Sequence, residues 1–474
     1  MADESEEKKV LCRFVTKLPE AFSVTSGDLA IPASASRYGL SQTVNALLAA
    51  AASSGQEGGV EGKRVFDFLV EGELLRGNLN RHLEKRGLSV EKTVEIEYFF
   101  AIEPPEPSLD LPQPDWVSAV VAASSGMGTG GEDVVFAGCY DGTVQTLLGT
   151  SGASVSSLSA HKDAVSALAV FKISSDEEES QSSSSHKDVS VLVTASKDNS
   201  LKGWFVSRGD EAEEELADGL NLTQVFEFVG HTGAIESLAA SPGSCRFCSG
   251  GWDQVIRIWS TDVEDLTGAR MNLKKQKLRA KDDDDGFEQA VGLEQVETAS
   301  LEGHTQCISS VCWPEENLIC SSSWDSTVKC WDVAKGKLVS NLIRESAIFC
   351  LDCSRQSAHS GGLNLAFGGT DGHVSVWDPR ESLRDNKMAS VKLFKSHKSV
   401  VADVSWSPSS PFHFASCDYQ GLVKVWDVRS AMPLHSLSIH EDKALCLEWF
   451  SNKIASGGAD CKVSLQTIAV RSEK

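Results

Sequence analysis

The sequence of 474 residues predicts a mainly β protein, a seven-bladed propeller preceded by a small α+β domain. Three observations carry this expectation. First, an Asp six residues ahead of a Trp recurs in "SSSWDSTVKCWDV" (Asp325, Trp331), "TASKDNSLKGWFV" (Asp198, Trp204), "CSGGWDQVIRIWS" (Asp253, Trp259) and "AFGGTDGHVSVWD" (Asp371, Trp377). Second, these segments, stripped of insertions, define a unit of about 40 residues, the mark of a repeat architecture. Third, residues 10–102 do not repeat and alternate strand-like with helix-like patterns.

Each unit holds four strand-like runs. In residues 304–342 they are "HTQCISSVCWP", "NLICSSS", "TVKCWDV" and "KLVSNLI", with turn signals at Pro314 and "AKG", which reads as one blade. The markers resemble the WD-repeat family: Gly230-His231 and Gly303-His304, then Trp331-Asp332, Trp377-Asp378 and Trp426-Asp427. The resemblance runs from about residue 115 to 470, and the seven blades centre on turns at Asp141, Asp198, Asp253, Asp325, Asp371, Gln420 and Asp460. Four blades depart from the pattern. Leu147 and Gln466 hold the Trp position of blades one and seven, blade five lacks the His near Ser346, and Gln420 replaces the Asp of blade six. These blades are expected to leave their polar networks incomplete. With few residues after "KVSLQTIAV", blade seven needs an outer strand from elsewhere, and the segment just before Trp116 is the candidate.

His304, Ser321 and Asp325 have the composition of a hydrolase triad. A nucleophile is needed once, in a cleft, yet His304/Ser321/Asp325/Trp331 recurs as His161/Thr194/Asp198/Trp204 and His231/Ser249/Asp253/Trp259, each time with a Trp donor. The family resemblance implies a structural tetrad, a hydrogen-bonded chain pinning one loop to the strands and satisfying groups that are costly to bury alone. No catalytic residue and no cofactor is expected. Cys245/Cys248 and Cys350/Cys353 have CxxC spacing but lie a whole blade apart, and odd spacing along a strand points Cys350 and Cys353 to opposite faces. Core thiols, not a zinc site, are expected. "GMGTGG" from Gly126 has no helix after it to receive a phosphate and reads as a loop.

A net charge of -23 disfavours a phosphate backbone and favours basic protein segments as partners, leaving local RNA contact open. No apolar run approaches a membrane span, and "MADESEEKKV" has no signal-peptide pattern. Thirteen cysteines without a framework spacing fit a reducing, intracellular setting. Insertions near 172–188, 208–219 and 262–297 are expected to be disordered and to emerge on one face. Within the third, "KKQK" at Lys274 reads equally as an import signal or a solvated loop.

Ahead of the repeats come an acidic tail (1–9), the non-repeating domain (10–102) and a Pro-rich linker (103–114). "VLCRFVTKL" and "FSVTSG" predict a hairpin, and "GLSQTVNALLAA" puts Leu40, Val44, Leu47 and Leu48 on one helical face. "RVFDFLVEGELL" reads as strand, Asn78 caps a helix stopped by Gly87, and "TVEIEYFFAI" is the last strand, together a ubiquitin-like order. "SRYGLSQTVNALL", "FDFLVEGELLR", "KRGLSVEKTVEIEY" and "DWVSAV" resemble the WD-repeat subunit of the Pescadillo/Block-of-proliferation (PeBoW) complex with its NLE-type ubiquitin-like domain; "AAAASSGQEGGVEGK" is an expansion.

That resemblance implies a non-enzymatic assembly factor of the nucleolus and nucleoplasm, bound with Block-of-proliferation protein and Pescadillo to the large-subunit pre-ribosome. It also implies release by midasin, an ATPase that grasps the ubiquitin-like domain through a metal-dependent adhesion site. There a Glu completes the coordination of a Mg2+ held by the ATPase, and the matching residue is Glu91, with Glu71, Glu73 and Glu84 as further contact candidates. "WDPR" (Trp377 to Arg380) and "WDVR" (Trp426 to Arg429) resemble instead the WDxR box of cullin-type ubiquitin-ligase receptors.

Overall fold

Alternating apolar residues organise the N-terminal unit of the computed structural model, which describes residues 8–19, 22–24, 27–53, 64–87, 93–123, 133–173, 189–208, 220–243, 245–261, 293–354, 363–380 and 390–468. Strand Lys9–Val15 buries Val10, Cys12 and Phe14, and Val94–Phe100 buries Val94, Ile96 and Tyr98. These two run parallel within a sheet ordered Leu29–Pro32, Lys9–Val15, Val94–Phe100, Phe66–Val70, Glu73–Leu74. Helix α1, Arg37–Ser53, packs Leu40 and Val44 into the same core. Helix α2, Leu79–Arg86, begins at Asn78, whose side chain accepts from Arg81 N, and ends at Gly87 with φ 64°. A residue with a Cβ rarely adopts that left-handed φ, so Gly87 marks the stop.

The expected ubiquitin-like order is present, with one correction. The second strand of the hairpin is Leu29–Pro32, not "FSVTSG". Leu29 and Ile31 fall opposite Cys12 and Val10, on the core side. Residues 22–24 are held elsewhere: Tyr98 Oη donates to Phe22 O at 2.7 Å and accepts from Val24 N at 2.9 Å.

The chain divides into two compact units between Pro104 and Pro105. In the second unit the described residues form seven sheets, each built on four antiparallel strands, one of them with a fifth. Their innermost strands, Val117–Ala123, Val165–Ile173, Ile235–Ala240, Ile308–Glu315, Ile348–Cys353, Val401–Trp406 and Ala444–Phe450, pack each against the next and the last against the first, closing a propeller. Side chains stitch neighbouring inner strands together. Asp352 accepts from Trp406 N at 2.7 Å, Asp403 from Leu447 N at 2.8 Å, and Ser237 from Val311 N at 2.9 Å.

The seventh sheet takes its outer strand from Glu106–Pro112, which pairs antiparallel with Lys462–Thr467 and covers what would be an open edge. The second sheet gains a fifth strand, Leu293–Val296, parallel to Phe226–Val229. This corrects the expectation of disorder through residue 297: the end of the third insertion satisfies its backbone on that sheet edge, and Glu297 pairs with Arg257. The rest of that insertion, Lys274 included, and most of the other two lie outside the described residues.

Candidate functional site

The repeated polar residues converge because of strand register. Ser321 and Trp331 lie two pairs apart on neighbouring strands, Ser321 opposite Lys329 and Trp331 opposite Ile319, so the indole reaches across to the hydroxyl. Trp331 Nε1 donates to Ser321 Oγ at 2.9 Å, Ser321 Oγ meets His304 Nε2 at 2.8 Å, and His304 Nδ1 meets Asp325 Oδ2 at 2.9 Å. In blade three the corresponding distances through Trp259, Ser249, His231 and Asp253 are 2.8, 2.6 and 2.7 Å. Blade two inserts a relay: Trp204 donates to Thr194 at 3.0 Å and Thr194 meets His161 Nε2 at 2.7 Å. There His161 Nδ1 reaches Ser200 Oγ at 2.8 Å, and Ser200 donates to Asp198 at 2.5 Å.

The chemistry of the chain sets every proton. An indole N–H can only donate, so the hydroxyl accepts from it and gives its own hydrogen to His Nε2. That nitrogen must be unprotonated, which places the imidazole proton on Nδ1, facing the carboxylate. The groups respond accordingly. Burial, outweighing the nearby Asp198, pushes His161 down to about 4, and burial also lowers His304 and His397. Burial is the largest single influence on the Asp198, Asp253, Asp325 and Asp418 carboxyls and pushes them up. Side-chain hydrogen bonds led by Ser200, His231, Thr327 and His397, together with turn amides and the neighbouring imidazoles, outweigh it in sum and hold them low. A neutral, fully occupied imidazole beside an ionised Asp is a clamp, with no lone pair turned toward a substrate.

Blade six corrects the sequence reading. It has a complete tetrad, in which Trp426 donates to Ser416 at 2.8 Å and His397 contacts Ser416 and Asp418 at 2.7 Å each. Asp418 stands two residues before the position Gln420 occupies, and its fully buried carboxylate reaches the same imidazole nitrogen. The ten-residue Ser-to-Trp spacing shared with Ser321 and Trp331 was the available signal. Blade seven keeps three members: His440 contacts Ser456 and Asp460 at 2.9 Å each, while Gln466 bonds Ser464. In blade five Phe367 takes the hydroxyl position, and among the described residues the buried Trp377 Nε1 has no hydrogen-bond partner.

Both CxxC pairs are unsuited to a shared metal. Cys350 and Cys353 are buried in different core clusters, and among the described residues no group of three or more His, Cys, Asp and Glu is placed to hold an ion. A thiol cluster that sequence spacing did not reveal lies between blades four and five, where Cys312, Cys320, Cys330 and Cys353 share one core and the Cys320 and Cys330 sulfurs are 3.3 Å apart.

In the ubiquitin-like unit, Glu71 is exposed in the turn after Phe66–Val70 with φ 50°. Glu73 pairs with Arg86 of α2, whose Nε donates at 3.0 Å, and Glu84 accepts from Asn80 at 2.7 Å. Arg86 thereby ties Glu73 to the helix that carries Glu84. Glu91 lies outside the described residues. The arginines of the WDxR matches are engaged internally: Arg380 pairs with Glu315, and Arg429 forks onto the buried Asp427 at 3.0 and 2.8 Å.

The family model for the NLE (NUC135) domain matches residues 10–83, and that for the WD domain, G-beta repeat, matches 222–260, 295–332 and 388–427. These repeat matches end at or just after the tetrad tryptophans Trp259, Trp331 and Trp426. Proteins named "Ribosome biogenesis protein WDR12 homolog" are similar over nearly the full length. That of Oryza sativa subsp. japonica is 36% identical over 459 residues, 97% of this chain and 96% of that protein. Those of Chlamydomonas reinhardtii and Arabidopsis thaliana are 35% and 34% identical, covering 97% and 98% of this chain and 98% of each relative.

Proposed function

The chain belongs to the WDR12 family of ribosome biogenesis proteins, and from that premise we propose that it is a non-catalytic assembly factor for the large ribosomal subunit. It acts in the nucleolus and nucleoplasm, in pre-rRNA processing and pre-ribosome maturation, bound with Pescadillo and Block-of-proliferation protein. Midasin releases it by grasping the ubiquitin-like domain. The observation that carries the reading is the pairing, in one chain, of an NLE domain with a propeller whose recurrent His, Ser and Asp residues are consumed in structural tetrads. Such a molecule offers surfaces rather than a reactive centre. The cullin-receptor alternative is disfavoured because the WDxR arginines Arg380 and Arg429 already neutralise Glu315 and Asp427.

Glu91 is the proposed release contact, giving a hard carboxylate oxygen to the Mg2+ that midasin holds. Glu71 is the further contact candidate left open to a partner, being exposed, whereas Glu73 is held by Arg86. Binding of the full chain to the midasin adhesion domain should require Mg2+ and weaken strongly in both Glu91→Ala and Glu91→Asp, the second because one methylene less retracts the oxygen. Both variants should still enter pre-ribosomes and then persist on them. Wild-type binding by Glu91→Ala, or binding indifferent to chelation, would remove the metal bridge from the reading.

A further inference from the structure

One position in each blade directly follows the second strand and precedes the turn. Around the propeller it holds Tyr140, Lys197, Trp252, Trp324, Thr370, Tyr419 and Ala459. Being equivalent in every sheet, these residues share one face, the face of the tetrad turns. The tetrads themselves do not require an aromatic residue at this position. Trp252 is nevertheless 49% exposed, an indole left in water where a polar residue would cost nothing.

The aromatic members divide into two groups. Tyr140 and Tyr419 carry lysines of this same chain, Lys197 Nζ at 4.7 Å from the Tyr140 ring centroid and Lys443 Nζ at 5.5 Å from that of Tyr419. On the other side Trp252 and Trp324 meet edge to face at 5.0 Å, and Trp324 continues onto Phe349 at 5.5 Å. Among the described residues no cation lies over this arc. A carboxylate flanks it: Glu236 Oε1 accepts from Trp252 Nε1 at 2.7 Å. The one arginine of the neighbouring turn, Arg344, is directed to Asp371 at 3.9 Å.

We propose that the arc of Trp252, Trp324 and Phe349, with Glu236 at its edge, docks an arginine side chain presented by a protein partner. The assignment rests on reading the chain as a docking scaffold, and it names the surface and the chemistry that surface takes. A guanidinium is planar, stacks on an indole and still offers N–H donors in its plane to the second Glu236 oxygen. The Tyr140 and Tyr419 contacts are the same interaction made within the chain. The overall charge of -23 draws basic segments and repels the phosphates of a stacked RNA base.

The test titrates the full-length chain, at physiological salt, with a capped short peptide carrying two arginines and with its citrulline counterpart, which keeps the shape without the charge. Indole resonances report the site. The Trp252 signal should shift saturably with the arginine peptide, and the citrulline peptide should bind about tenfold more weakly, a loss of about 1.4 kcal/mol. Trp252→Ala and Glu236→Gln should each weaken binding several-fold, the latter while keeping an acceptor for the indole N–H. Trp116→Ala, on the far side of the same face, should bind like wild type. Arginine-peptide binding indifferent to Trp252→Ala and Glu236→Gln would be diffuse attraction to an acidic surface and would overturn the assignment. So would an unshifted Trp252 signal at millimolar peptide, or preferential binding of a short oligouridylate at the arc. No ribosomal component enters this titration, so its failure is separate from failure of the assembly-factor reading.

Discussion

Asp418→Ala is the sharpest test of how the propeller is held. The Asp418 side chain is fully buried and accepts from His397 Nδ1 at 2.7 Å, Gln420 N at 2.9 Å and Leu422 N at 3.1 Å. Alanine strands the imidazole N–H, which is itself fully buried, at a cost of about 1–3 kcal/mol. The two turn amides lie beside the exposed Gln420 and can recruit water, so they add little. Gln420→Ala should change stability by less than about 0.5 kcal/mol, since among the described residues its side chain makes no hydrogen bond. Asp325→Ala should match Asp418→Ala, having lost His304, Thr305 N, Thr327 N and the Thr327 hydroxyl. Urea unfolding of the four proteins under one protocol gives the comparison. If Gln420→Ala lost as much as Asp418→Ala, or Asp418→Ala lost under about 0.5 kcal/mol, the tetrad would not be a stabilising unit in blade six.

Three further outcomes follow from the same geometry. His161 has a folded value of about 4 against an ordinary 6.5, so the unfolded chain takes up a proton first; stability should fall as pH drops from 6.5 to 4, by up to about 3 kcal/mol from this residue. His161→Phe should lose that slope in thermal scans, and an unchanged slope would refute the neutral clamp. Asp403 acts with the opposite sign, since burial pushes its carboxyl up to about 7: its contribution is full below an ordinary carboxylate value of 3.8 and is lost as pH rises through 7. Asp403→Asn keeps an acceptor for Leu447 N and should be neutral near pH 4 but stabilising above pH 7, by roughly 1–3 kcal/mol after allowance for its partial exposure to solvent; equal effects at both values would sink the idea. Finally, Leu109→Asn with Leu111→Asn should loosen the closing strand, lowering the unfolding midpoint and speeding amide exchange in Lys462–Thr467; unaltered exchange would mean that strand does not hold the ring.

Repetition made most of the architecture readable from sequence. A Ser or Thr and a Trp ten residues apart, with a His before them, recur in blades two, three, four and six because register brings the three together there, and local spacing on paired strands is a property of the chain itself. The same holds for α2, where Asn78 and Gly87 mark the ends through their own backbone preferences. Tertiary structure decided the cases in which several partners fit the local pattern. Asp418 and Gln420 both sit in the turn, and only the reach to His397 selects the Asp. "FSVTSG" and Leu29–Pro32 both alternate, and only the facing Val10 and Cys12 select the second. Glu106–Pro112 and Leu293–Val296 became strands because distant edges, Lys462–Thr467 and Phe226–Val229, had unpaired backbone to offer. The aromatic arc belongs to this class as well. Trp252, Trp324 and Phe349 are scattered along the chain, and it takes the closure of the ring to set them side by side.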